Sequence, residues 1–75
     1  MITYEEALSI ARKYKTHINH CTEYTNAYSF EFDTGFETFG GNGPIVVLKE
    51  NGRVMKQIEY AITGNKSVVR AFAVD

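Results

Sequence analysis

Gly40-Gly41-Asn42-Gly43-Pro44-Ile45-Val46-Val47-Leu48-Lys49-Glu50-Asn51-Gly52-Arg53 decides the fold of this 75-residue chain. Glycines lead into it. Pro44, with its fixed φ and no backbone donor, suits the first residue of a strand. Ile45-Val46-Val47-Leu48 is a continuous aliphatic run, the pattern of a strand covered on both faces. Asn51-Gly52 offers the two positive-φ positions of a type I′ turn and predicts a hairpin. With those two as the loop, Glu50 faces Arg53 and Ile45 faces Ile58. The inner face then holds Ile45, Val47, Val54, Ile58 and Tyr60, with Lys56 at its edge. The outer face carries Val46, Leu48 and Met55, more apolar than a solvated face needs. A three-residue loop with Gly52 at a bulge is the alternative and would swap the faces of one strand.

Working outward, Ile2-Thr3-Tyr4-Glu5-Glu6-Ala7 reads as a helix start. Thr3 and Glu6 have capping-box spacing, and Ile2 is placed to staple onto Ala7. Tyr4, Ala7, Leu8, Ala11 and Tyr14 recur on one face with Ile10 flanking, which predicts a helix to about Lys15 with that face on a sheet. His17 to Asn26 fits a ragged strand or a loop. Ala27 to Asp33 alternates, with Tyr28, Phe30 and Phe32 on one face and Ser29, Glu31 and Asp33 on the other, as in a half-buried antiparallel strand. Thr34 to Asn42 reads as a loop anchored by Phe36 and Phe39. Thr63-Gly64-Asn65-Lys66 breaks the chain again. Val68 to Val74 fits a last strand or a short helix, and β propensity favours the strand. The fold class expected is α+β: an N-terminal helix packed on an antiparallel sheet with a central Asn-Gly hairpin.

Residues 1–75 are expected to form a single domain. A chain this short buries only about 60–65% of its unfolded surface, so dimerisation or partner binding would add useful burial. Its 44% hydrophobic content is that of a folded domain. A net charge of −1 gives no basic footprint for nucleic acid. One cysteine forms no internal disulfide, which points to a reducing cytoplasm. Charges at Glu5, Glu6, Arg12 and Lys13 stand where a signal peptide needs an apolar core, and no run reaches membrane-spanning length.

Chemistry-bearing motifs are few. Gly40-Gly41-Asn42-Gly43 is followed by proline and a strand, whereas a phosphate cradle opens a helix. His17, His20 and Cys21 are the only cluster of metal-capable residues, and the second ligand pair of a zinc site is missing. Cys21 with a histidine lacks an orienting carboxylate or an oxyanion element, so no catalytic residue and no cofactor is expected. The charge layout says more. From Thr16 to Leu48 there is no Lys or Arg, while Glu23, Glu31, Asp33 and Glu37 all fall there. With Tyr24 beside them, these residues are the expected contact surface for a basic protein partner, against the plain alternative of a solvated acidic face. Val46, Leu48 and Met55 are the expected surface if the domain self-associates as a homodimer instead.

Met1-Ile2-Thr3-Tyr4 with Ala7, and Gly41-Asn42-Gly43-Pro44-Ile45-Val46-Val47 followed by Lys49 and Gly52, resemble the YrhB-like family. Those are small bacterial domains classed among the immunity proteins of polymorphic toxin systems. The likeness covers roughly a third of the chain and departs from the family in two ways. Such domains usually carry a longer aromatic segment with Trp before the glycine loop, and their ends tend to be helical. The resemblance implies an N-terminal helix on a three- to four-stranded antiparallel sheet and a protein that neutralises a co-encoded toxin by binding and occluding it, with no catalytic residue carried over.

Overall fold

The computed structural model describes residues 1–32, 43–62 and 67–74. Helix α1 (Tyr4–Tyr14) is followed by β1 (His20–Tyr24), β2 (Ala27–Glu31), β3 (Ile45–Leu48), β4 (Val54–Lys56), helix α2 (Gln57–Ile62) and β5 (Val68–Ala73). The fold is α+β. Among the described residues the sheet has five strands in the order β4-β3-β2-β1-β5, one more than the upper number expected, and every neighbouring pair is antiparallel. The first four strands form a meander, and β5 returns to the far edge beside β1.

α1 starts as its spacing predicts. The Glu6 backbone N–H donates to Thr3 Oγ1 at 3.2 Å, and the Thr3 N–H donates to Glu6 Oε1 at 3.0 Å. The second bond holds the Glu6 carboxyl below the usual carboxylate range. Ala7 and Ala11 are fully buried against Cys21, Tyr28, Phe30 and Val47, with Tyr4, Leu8 and Ile10 packed around them. Tyr14, expected on this face, is exposed, because Ile10 and Ile18 fill the edge of the core instead.

The β3–β4 hairpin keeps the expected faces but not the expected turn. Ile45 pairs with Lys56, Val46 with Met55 and Val47 with Val54. Residues 49–52 form the loop, closed by a 2.8 Å bond from the Gly52 N–H to the Leu48 carbonyl. Gly52 alone has positive φ, at 73°, so the turn is not type I′. The shift from the two-residue register is two positions, and an even shift leaves every side chain on its face. Strand β4 ends at Lys56, where the Glu59 carboxylate accepts from the Lys56 N–H at 3.4 Å and starts α2. Ile58 and Tyr60 are therefore helical and leave the inner face.

α2 explains the apolar outer face. It lies across the side of the sheet away from α1, and Tyr60 is buried there with Ala27 and Val46, flanked by Tyr24, Leu48 and Met55. The Tyr60 hydroxyl donates to Asn26 Oδ1, and the Ser29 hydroxyl donates to Gln57 Oε1 at 2.9 Å. The sheet thus carries a core on each face. The ragged segment after His17 contains a strand, β1, whose register puts His20 opposite Glu31 and Glu23 opposite Tyr28. β2 stops at Glu31, so Phe32 lies beyond the ladder and is partly exposed. Val68 to Val74 contains strand β5 and no helix. The loop expected at Thr34 to Asn42 with Phe36 and Phe39, and the break at residues 63–66, lie outside the described residues.

Candidate functional site

Among the described residues, the chemically capable side chains are distributed by strand alternation. His20 and Cys21 are consecutive in β1, so they point to opposite faces of the sheet. His20 shares its side with Glu31, whose Oε1 lies 3.2 Å from Nδ1. Cys21 is fully buried in the core under α1. Burial, with Glu23 nearby, pushes the Cys21 thiol up to about 12, so it is protonated and unreactive at neutral pH. His17 is exposed with its ring 5.6 Å from that of Phe32. The structure therefore does not bring His17, His20 and Cys21 together as ligands or as nucleophile and base. Among the described residues no three His, Cys, Asp or Glu converge as a metal site.

The acidic residues expected to form one contact surface are also separated. Glu23 is on the α1 side, where its Oε2 accepts from Lys49 Nζ at 2.6 Å and its Oε1 from Arg70 Nε at 2.7 Å. These two bonds hold the Glu23 carboxyl below its usual range. Lys49 comes from the β3–β4 loop and reaches over the Tyr28 ring, 4.9 Å from its centroid. Its stem is buried while its head is matched by a carboxylate. Glu31 faces the opposite side of the sheet beside His20. Tyr24 is half-buried with its ring 5.3 Å from that of Tyr60. Asp33 and Glu37 lie outside the described residues. For the self-association surface, Val46 is fully buried beneath α2, and Leu48 and Met55 pack at its margin.

Two residues not expected on a contact surface form an exposed apolar ridge. Ile58 and Ile62 stand one helical turn apart on the outward side of α2, 71% and 82% exposed. Tyr60, between them in sequence, points inward. Ile58 also lines an open groove with Tyr14, Phe32 and Met55. The expected strand puts Ile58 and Tyr60 on the inner face, and that hides the outward direction of Ile58. The signal that finds them is the apolar outer face of β3 and β4, which requires a cover. No described helix is long and apolar enough to cross a membrane. In comparisons with family models, curated proteins and solved structures, the chain matches none.

Proposed function

We propose that this chain is a non-enzymatic protein-binding domain of the immunity type, which neutralises a basic partner toxin by occluding it, in the cytoplasm. The observation that carries the reading is the outward pair Ile58 and Ile62, a spacing at which a helix inserts two anchors into an apolar groove of another protein. Folding gains nothing from leaving two isoleucines in water, and such exposed apolar ridges mark contact surfaces. The buried, protonated Cys21 and the separation of His20 from Cys21 remove the one nucleophile–base pair the sequence offers. Glu59, between the two isoleucines, and Glu31 on the same side of the sheet supply acidic groups suited to steering a basic partner. Glu23 is already matched by Lys49 and Arg70, so in this reading it supports the fold and not the contact.

The test is co-expression with the toxin encoded beside the gene, followed by calorimetric titration of the purified pair. Wild-type chain should protect the cell and bind one to one. Ile58→Asp with Ile62→Asp should lose at least about a hundredfold in affinity, the scale of two apolar anchors, while keeping wild-type stability. Absence of any complex would overturn the reading.

A further inference from the structure

The two edges of the sheet are built differently. β4 is three residues long and runs straight into α2. β5 has six residues and, among the described residues, pairs on one side only, with β1. Natural sheets blunt an open edge with charge, proline, brevity or a bulge. β5 has no proline, and its one charge, Arg70, is already bonded to Glu23. A register shift opposite Glu23 and Tyr24 makes Val69 an extra residue near the strand start, which leaves Arg70 to Ala73 in regular register. Val68 and Val69 are exposed.

The direction of the backbone groups follows from the ladder. The Val74 N–H donates to the Asn19 carbonyl at 2.9 Å, and inward-facing residues alternate along an antiparallel strand. Phe72 and Arg70 therefore turn their peptide groups toward β1. Ala71 and Ala73 turn theirs to the open side. The incoming strand meets two small side chains and a row of donors and acceptors that no described residue bonds.

We infer that the chain forms a homodimer by pairing β5 with β5 of a second copy, antiparallel about a two-fold axis at Ala71. In this register Ala71 faces the partner's Ala71 as a hydrogen-bonded pair, and the bulged Val69 lies beside the partner's Ala73, just beyond the regular ladder. Arg70 faces the partner's Phe72. Within one chain the Arg70 guanidinium already lies 4.7 Å over the Phe72 ring, so the dimer sets it between two rings and away from its like charge. That self-complementarity selects a second copy over an unrelated strand. The dimer is independent of the toxin reading, since purified chain alone shows it.

Sedimentation of the full chain across a roughly thousandfold concentration range tests the inference. The expected result is a reversible monomer–dimer equilibrium, with the Ala71 and Ala73 amides protected from hydrogen exchange only at high concentration. Ala71→Pro removes an outward N–H and no bond to β1, so the fold survives. It should weaken the dimer roughly a hundredfold, since both copies lose a bond and gain a ring. Val69→Lys should weaken it in the same direction. A chain that stays monomeric throughout overturns the inference. So does a dimer that Ala71→Pro and Val69→Lys leave unchanged, because its interface is then elsewhere.

Discussion

Glu23 Oε2 lies 2.6 Å from Lys49 Nζ, joining strand β1 to the loop between β3 and β4. The two side chains are 13% and 10% exposed, so each carries its charge where water reaches it poorly. Removing one partner leaves the other charge nearly buried and unmatched, which costs more than the pair contributes. Glu23→Ala should therefore destabilise the chain by about 3 kcal/mol. Arg70→Ala, at an exposed position, should cost much less than Glu23→Ala. Glu23→Leu with Lys49→Met should return close to wild type, and urea midpoints of the three variants against wild type check the order.

The same carboxylate sets an acid limit. Its folded-state pKa is lowered by Lys49 and Arg70, so its contribution is fully present above the ordinary glutamate value of about 4.3. The contribution is lost as pH falls below that value through the lowered one. Glu6 acts in the same direction at the start of α1. Thermal unfolding followed from pH 6 to pH 2, values chosen to bracket that window, should show a fall that is shallower in Glu23→Gln.

Cys21 behaves in the opposite sense. Its thiol is raised to about 12 by burial, so its contribution is complete below the unfolded value of about 8.5 and declines as pH rises above it. At neutral pH a thiol reagent should react only at the rate of global unfolding, and urea should accelerate the reaction in step with loss of structure.

Gly52 combines two constraints. Its φ is 73°, and a Cβ there would lie 3.2 Å from Ile10 Cδ1. Gly52→Ala should cost about 1–2 kcal/mol, lowering Tm by several degrees, because alanine meets both the dihedral penalty and the crowding under α1.

Tyr60 holds α2 on the outer face, 1% exposed over Ala27 and Val46. Tyr60→Ala should cost about 3–5 kcal/mol by opening that second core. Leu48→Asp should likewise appear as unfolding in circular dichroism, since Leu48 packs under the helix.

These two residues also show what the sequence can carry. The run Ile45 to Leu48 and the turn after it specify a hairpin, and parity preserved its faces when the loop proved longer. Thr3 and Glu6 specify the helix start because a capping box is local. Gln57 to Ile62 misleads, because Ile58, Tyr60 and Ile62 repeat every second residue as in a strand, while one turn of helix directs only Tyr60 inward. The Glu23 pairs join residues 26 and 47 positions apart, and charge layout alone read Glu23 as free surface. The separation of His20 from Cys21 was fixed once β1 was known to be a strand, and the ragged alternation after His17 did not establish that. No local pattern in the chain announces the outward isoleucines. They follow from the need to cover Val46, Leu48 and Met55.

The most direct measurement is the affinity of the chain for the proposed co-encoded toxin, compared between wild type and Ile58→Asp with Ile62→Asp at matched stability. Tight one-to-one binding that falls at least about a hundredfold in the double variant is the predicted result. Equal binding by the two proteins would contradict the assignment of α2 as the contact surface, and no binding by wild type would contradict the immunity reading itself.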